Sequence, residues 1–265
     1  MKEISKFYKE ILGESSFTFL EIGARGGSSK IITELSNKKV IKLILFEMES
    51  KEYEDLKKED YTIINSPLWK SSTKKNIYIT KNKSYSSLLK PNKKVLEGSF
   101  YFDRKFYEIE KIIEAETISL DNLIINNKNI EKIDFIKIDI QGAEGLIFDS
   151  ISKTNWDNLL GCKTESYTDQ IYENCQTVDR ILTIFVKNKF DIFEIKKIAS
   201  KLMTSFKDDK IYSKSFFSAL PKSRYYQGKD LVYDILFIKN LDEIIKEKSV
   251  VKLRKLILIL ILNKY

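Results

Sequence analysis

The 265-residue sequence contains no histidine, and this absence narrows the chemistry open to the protein. Histidine is the usual general base near neutral pH and a frequent nitrogen ligand of metal ions. A general base in this chain must therefore be Asp, Glu, Lys or Tyr. Cysteine is scarce as well, since Cys162 and Cys175 are the two present. They match neither zinc spacing nor a disulfide framework, and they suit a reducing cytoplasm, where we expect the protein to act.

Arginine is rare in the sequence, and the apolar runs are short. Five of the 46 basic residues are Arg, so the net charge of +8 comes mainly from Lys. The Arg guanidinium group is preferred for binding phosphate, because it can donate two parallel hydrogen bonds. The sequence has no Arg cluster, so we expect no nucleic-acid partner. The apolar run at 256–262 has seven residues, far fewer than the roughly 20 that span a bilayer. Residues 1–11 are charged and amphipathic, unlike a signal peptide.

Short apolar strands alternate with amphipathic helices along most of the chain. Residues 135–140 predict a buried strand, because β-branched and aromatic side chains fall on both of its faces. This strand ends at Asp139, and Gly142 then permits a tight turn into a helix. The repeated strand–helix order predicts an α/β fold with a doubly wound, mainly parallel sheet.

We expect one domain with a short helix before it and a helical tail after it. The predicted segments are an N-terminal helix in 1–14, the main domain in 15–240 and the tail in 241–265. Residues 201–230 form a loop-rich insert, which we expect to cover the substrate. The tail either closes the domain or forms a homodimer contact. Its basic residues favour peripheral membrane contact as the alternative.

The first predicted strand ends in Glu21 and leads into a glycine-rich turn at 23–27. Glycine lets a ligand approach the backbone closely, although ordinary strand-to-helix turns also use it. A dinucleotide-binding turn would need glycine where this chain has Arg25 and Ser28. Glu21 would also repel a pyrophosphate. The pattern therefore argues against a dinucleotide.

Glu47 ends the second predicted strand, 20 residues beyond Gly27. A carboxylate at the tip of the neighbouring strand can accept both hydroxyls of a ribose. A cofactor that has a ribose but no phosphate fits this pair of features, and S-adenosylmethionine is one such cofactor.

Four stretches make the chain resemble the FkbM family of S-adenosylmethionine-dependent methyltransferases. They are LEIGARGG at 20–27, FE at 46–47, TISLD at 117–121 and DFIKIDIQGAE at 134–144. The last is the most specific, since the family carries a strand followed by D-x-Q/E-G-x-E. The chain departs from the family pattern at Glu21, where Asp is usual, and at Arg25-Gly26-Gly27, where Asn and a single Gly are more frequent.

The resemblance implies a Rossmann-like class I methyltransferase fold, with a seven-stranded sheet whose last strand is antiparallel. It implies an O-methyltransferase that acts on a hydroxyl of a sugar or surface-glycan precursor. Residues 21–26 would hold the methionine part of the cofactor, Glu47 the ribose, and Leu68 with Trp69 the adenine. The implied cofactor-binding residues are Glu21, Gly23, Ala24, Arg25, Gly26, Glu47, Met48, Leu68, Trp69 and Asp139.

Asp139, Glu144 and Glu165 are the candidate catalytic residues, because an alcohol acceptor needs a base to remove its proton. Asp139 and Glu165 end strands that we expect to be neighbours, so they could instead bind a divalent metal ion. Glu144 has a simpler explanation, since the helix dipole stabilises an acid in the first turn of a helix.

Two other functions stay open at this point. The lysine surplus motivates an RNA methyltransferase, which would bind RNA in a salt-dependent way. The fold could also serve as a non-catalytic interaction module, and such a module would take up no cofactor. The glycine turn and Glu47 argue against the module, because it needs neither.

Overall fold

The computed structural model describes residues 2–23, 27–47, 53, 61–97, 104–201 and 229–265. The strands in this part of the chain are β1 (Thr18–Ile22), β2 (Lys42–Phe46), β3 (Thr62–Ile64), β4 (Lys74–Thr80), β5 (Ile109–Glu116), β6 (Phe135–Ile138), β7 (Gly161–Tyr167), β8 (Phe190–Lys201) and β9 (Lys229–Lys239). The α-helices are α1 (Lys2–Leu12), α2 (Lys30–Asn37), α3 (Lys93–Glu97), α4 (Leu120–Asn126), α5 (Glu144–Phe148), α6 (Lys153–Asn158), α7 (Val178–Lys187), α8 (Leu241–Lys246) and α9 (Val250–Leu262).

Seven strands form the main sheet in the order β3-β2-β1-β6-β7-β9-β8. Strands β1, β2, β3, β6 and β7 are parallel, and β9 runs antiparallel to both of its neighbours. The predicted fold class is therefore confirmed. The chain builds the sheet outward from β1 in one direction and from β6 in the other. Ligands of such sheets bind where the direction switches, beyond the carboxyl ends of the strands.

Helices cover both faces of the main sheet because its strands carry apolar side chains on both sides. Leu20 and Ile136 belong to the cluster that α4, α5, α6 and α7 cover. Phe19 and Phe135, one position earlier in each strand, belong to the cluster under α1, α2, α8 and α9. The period of two along each strand thus produces a doubly wound, three-layered domain.

A separate two-stranded antiparallel sheet of β4 and β5, here called the ribbon, lies outside the main sheet. The alternating residues at 77–80 indicate an extra strand from the sequence, whereas 100–115 show no clear pattern. The ribbon belongs to a third apolar cluster, which includes Ile77, Tyr107 and Tyr172. This packing is needed because an isolated pair of strands is marginally stable in water.

The C-terminal helix α9 packs against α1 and the sheet, and its Lys255 is buried. The Lys255 ammonium donates to Oδ1 of Asp134 at 2.8 Å, and the Thr18 N–H donates to Oδ2 of Asp134 at 2.8 Å. Asp134 directly precedes β6 and Thr18 begins β1. The tail is therefore anchored to the two central strands, at the end opposite to their carboxyl tips.

Several sequence predictions concern residues outside the described ranges. Most of the predicted insert, at 202–228, lies outside them, so its role as a substrate cover stays a prediction. The boundaries proposed for the N-terminal helix and the tail also stay predictions. Within the described ranges, no helix is both long enough and apolar enough to cross a membrane.

Replacing Lys255 by Met should lower the free energy of unfolding by roughly 3–5 kcal/mol, because it leaves the Asp134 carboxylate buried without its cation. Urea denaturation at pH 7 measures this change. The double variant Lys255→Met/Asp134→Asn should recover much of the loss, and Lys264→Met, at an exposed position, serves as the control. A loss for Lys255→Met below roughly 1 kcal/mol, as an exposed pair gives, would contradict the prediction.

Candidate functional site

The carboxyl ends of β1, β2 and β6 lie side by side along a cavity of about 670 Å³. The Asp139 N–H donates to the Ile22 carbonyl at 3.0 Å, which joins the tips of β6 and β1. The ribbon lines the cavity through Ile77, Ile79, Lys111 and Ile113. Glu21, Glu47 and Asp139, the carboxylates that the sequence singled out at these tips, all line this cavity.

Gly23 brings the tips of β1 and β6 into contact. Its φ is +81°, which L side chains rarely adopt, and a Cβ at this position would lie 1.9 Å from the Asp139 carbonyl oxygen. A side chain at position 23 would therefore push the two strands apart. The glycine also leaves the backbone open where the cavity begins.

Glu21 is almost completely buried, although it lines the cavity. Its Oε1 accepts a hydrogen bond from Lys137 Nζ at 2.5 Å. Its Oε2 is buried and has no hydrogen-bond partner among the described residues. An unsatisfied buried acceptor is unfavourable. This oxygen is therefore suited to a donor that enters with a ligand, such as an ammonium group.

The segment after β3 supplies part of the apolar lining. Pro67 and Leu68 line the cavity, and the Ile118 N–H donates to the Pro67 carbonyl at 3.0 Å. Trp69 is instead buried in the third apolar cluster, with the Lys75 ammonium 4.8 Å from its ring centroid. Leu68 is thus placed to contact a bound cofactor, whereas Trp69 is not among the lining residues.

Four of the cofactor-binding residues implied by the resemblance lie outside the described ranges. They are Ala24, Arg25, Gly26 and Met48. Their roles stay predictions.

Gln141 connects the two carboxylates that the sequence placed on neighbouring strands. Its Nε2 donates to Asp139 Oδ1 at 2.7 Å and to Glu165 Oε2 at 3.2 Å. Its Oε1 accepts from the hydroxyls of Tyr167, at 3.2 Å, and Tyr172, at 3.0 Å. Gln141 belongs to the D-x-Q-G-x-E motif, and the motif alone predicted no role for it. Its position two residues after Asp139 was the available signal.

Burial dominates the electrostatics of this carboxylate pair. It raises the pKa of Glu165 to about 7, and the charge of Asp139 adds to the effect. Burial also raises the pKa of Asp139, although that side chain is open to the cavity, because the surrounding protein excludes much of the water. Hydrogen bonds from Gln141 oppose both shifts. The pKa of both carboxyl groups is therefore raised, and a raised pKa favours the role of general base.

The structure offers little support for a metal ion between these carboxylates. The Gln141 amide nitrogen, a donor, lies between Asp139 and Glu165, where a metal ion would need another oxygen. No group of three or more His, Cys, Asp or Glu side chains that could hold a metal occurs in the described ranges.

Glu144 and Glu165 do not line the cavity. Glu144 is buried, and its Oε1 accepts a hydrogen bond from the Ile140 N–H at 2.8 Å, which closes the turn after β6. Glu165 was predicted to end its strand, but β7 continues to Tyr167, so Glu165 lies behind Gln141. Asp139 is the one of the three candidate bases that borders the cavity.

Replacing Glu144 by Gln should remove a pH dependence from the stability of the protein. Burial raises the pKa of Glu144 to about 8, from the usual value of about 4.3 in an unfolded chain. At a pH between these two pKa values, Glu144 keeps its proton in the folded state but has lost it in the unfolded state. The wild-type free energy of unfolding should therefore fall as pH rises from 5 to 8, by up to about 1.4 kcal/mol per unit, relative to the variant.

Urea denaturation of both proteins across this pH range measures the difference, and Glu10→Gln, at an exposed position, is the control. Parallel pH profiles for the wild type and Glu144→Gln would show that the buried carboxyl does not hold this proton.

Comparisons with known proteins identify one matching family. Residues 16–192 match the family model described as a methyltransferase FkbM domain, and this range contains Glu21, Glu47 and Asp139. A comparison with curated proteins found no match.

The solved structures that are similar to the chain include two methyltransferases of low sequence identity. The precorrin-6y C5,15-methyltransferase from Geobacter metallireducens GS-15 has 11% identity and a TM-score of 0.36, with 89% of this chain and 88% of that chain covered. A candidate methyltransferase from Thermoplasma acidophilum has 9% identity and a TM-score of 0.32, with 86% and 70% covered. Likeness at this level does not identify an acceptor.

Proposed function

Because the chain belongs to the FkbM family of methyltransferases, we propose that it transfers a methyl group from S-adenosylmethionine to a hydroxyl of a sugar or surface-glycan precursor. One observation carries the cofactor part of this proposal. The cavity at the tips of β1, β2 and β6 contains a buried carboxylate oxygen of Glu21 that has no partner among the described residues.

The residues around the cavity suit the parts of this cofactor. Glu21 Oε2 would accept a hydrogen bond from the α-ammonium group, and Gly23 leaves room for the chain beside it. Glu47 would accept hydrogen bonds from the ribose hydroxyls. Phe46 and Leu68 would contact the adenine through apolar surface. When bound, the cofactor supplies a methyl group that is already activated by its positively charged sulfur.

The protein must then orient an acceptor hydroxyl and remove its proton. We assign proton removal to Asp139, because it borders the cavity and its pKa is raised. Gln141 holds Asp139 through a 2.7 Å hydrogen bond, and it is itself held by Glu165, Tyr167 and Tyr172. Glu165 thereby acts through Gln141. Glu144 stabilises the turn after β6, which contains Gln141.

The remaining cavity surface supports a polar acceptor. Ser84, Ser86 and Lys83 line it beyond Asp139, and the Lys83 ammonium forms an ion pair with Glu110. Hydroxyl and ammonium groups can hydrogen-bond the many hydroxyls of a carbohydrate. An RNA acceptor and a non-catalytic role are the alternatives, and the two experiments below distinguish them.

The wild-type protein should bind S-adenosylmethionine, and Glu47→Ala should bind it about tenfold more weakly or worse, because hydrogen bonds to a charged carboxylate are lost. Isothermal titration calorimetry measures both affinities. Glu173→Ala is the matched control, since Glu173 is exposed and does not line the cavity. Absence of binding by the wild type would refute the proposal and favour a non-catalytic module.

Replacing Asp139 by Asn should slow methyl transfer by roughly 10²–10⁴-fold while leaving the cofactor affinity nearly unchanged, because Asn cannot accept the proton. The assay uses radiolabelled S-adenosylmethionine and an extract of cells that lack the gene. Transfer of the label by the wild type should appear in the carbohydrate fraction. Label in RNA instead would reject the proposed acceptor class, and an active Asp139→Asn variant would reject Asp139 as the base.

A further inference from the structure

Lys137 lies on β6, directly across from Glu21 on β1 in the parallel register. Its Nζ is 2.5 Å from Glu21 Oε1, and both residues line the cavity. The two side chains differ in exposure, since Lys137 is 45% exposed and Glu21 is 3% exposed. The partly exposed Lys137 ammonium therefore contacts a buried carboxylate beside the cavity.

Both members of the pair can form further hydrogen bonds. Glu21 Oε2 is buried without a partner among the described residues. The Lys137 ammonium has three donors, and its contact with Glu21 uses one of them. An unused acceptor and unused donors thus lie next to one another beside the same cavity. A ligand group that carries both a cation and an anion on one carbon would satisfy both.

The charges around the cavity make this cation important. Glu21, Glu47 and Asp139 are carboxylates that line it at the strand tips, where an incoming carboxylate would be repelled. Lys137 is near enough to Asp139 to lower its pKa, against the larger effect of burial. Lys83 is already paired with Glu110. Among the described residues, Lys137 is the cation paired with Glu21, so it can offset a negative group at this end of the cavity.

We propose that Glu21 and Lys137 together form a subsite for the zwitterionic amino-acid end of the cofactor. Glu21 Oε2 accepts from the α-ammonium group, and Lys137 Nζ donates to the α-carboxylate. This inference rests on the proposed use of S-adenosylmethionine, and it adds Lys137 to the residues that recognise the cofactor. The competing explanation is that Lys137 merely neutralises the buried Glu21.

Two ligands test whether Lys137 acts on the amino-acid end, and a decarboxylated ligand then separates recognition of the α-carboxylate from neutralisation of Glu21. S-adenosylhomocysteine contains the whole amino-acid end, whereas 5′-methylthioadenosine lacks it. Calorimetric titration of Lys137→Met should show an affinity for S-adenosylhomocysteine that is about tenfold lower or worse, because a charge-assisted hydrogen bond is lost. The affinity for 5′-methylthioadenosine should stay within about twofold of the wild type, and Lys137→Arg should recover part of the loss.

Lys153→Met is the control, because Lys153 is exposed and does not line the cavity. It should leave both affinities unchanged. A second measurement needs no variant: the wild type should bind decarboxylated S-adenosylhomocysteine about tenfold more weakly than the intact ligand. This measurement decides the matter if Lys137→Met does not fold.

The outcomes distinguish this inference from the proposed function. If the wild type binds neither nucleoside ligand, the proposed use of S-adenosylmethionine is wrong. If the wild type binds both, the inference is overturned by equal losses for the two ligands in Lys137→Met. It is also overturned by an unchanged affinity of that variant for S-adenosylhomocysteine, or by equal wild-type affinities for the intact and decarboxylated forms.

Discussion

The contact between Gly23 and the Asp139 carbonyl is the constraint on which the candidate site depends. No side chain fits at position 23, because a Cβ there would lie 1.9 Å from that oxygen. The contact holds the tips of β1 and β6 together at the point where the sheet changes direction. As a result, Glu21 and Lys137 face one another and Asp139 borders the same cavity. A wider gap between these strands would separate the groups that we assign to the cofactor and to proton removal.

Strand β6 carries charged residues at its start, middle and end, and each one has a specific partner. Asp134 before the strand is paired with Lys255 of α9, and Lys137 within it is paired with Glu21. Asp139 after the strand accepts a hydrogen bond from Gln141. Burying a charge is unfavourable unless the charged group is paired or hydrogen-bonded. The central strand can carry these charged groups because neighbouring residues pair or hydrogen-bond with each of them. The C-terminal tail thereby contributes to the strand that positions the site.

Much of the fold followed from local patterns in the chain. Alternating strands and helices predicted a mainly parallel sheet, and parallel strands have their carboxyl ends at the same edge of the sheet. The spacing of Glu47 from the glycine turn therefore placed it beside Glu21. Strand β5 of the ribbon escaped prediction because it pairs with β4 across a long intervening segment. Strand propensity depends strongly on such non-local packing, and β5 alone shows mostly exposed residues.

The sequence by itself determined which chemistry is available. It has no histidine, it places carboxylates at strand ends, and it has a glycine turn at 23–27, after the first strand. Tertiary structure decided which carboxylates reach the cavity. Asp139 does, whereas Glu144 turns back to the Ile140 N–H and Glu165 lies behind Gln141. The direction of each side chain depends on the turn after β6, where Gln141 has a φ of +62°, and on tyrosines contributed by a distant segment. Such contacts form only when separate parts of the chain pack together, so no local pattern encodes them.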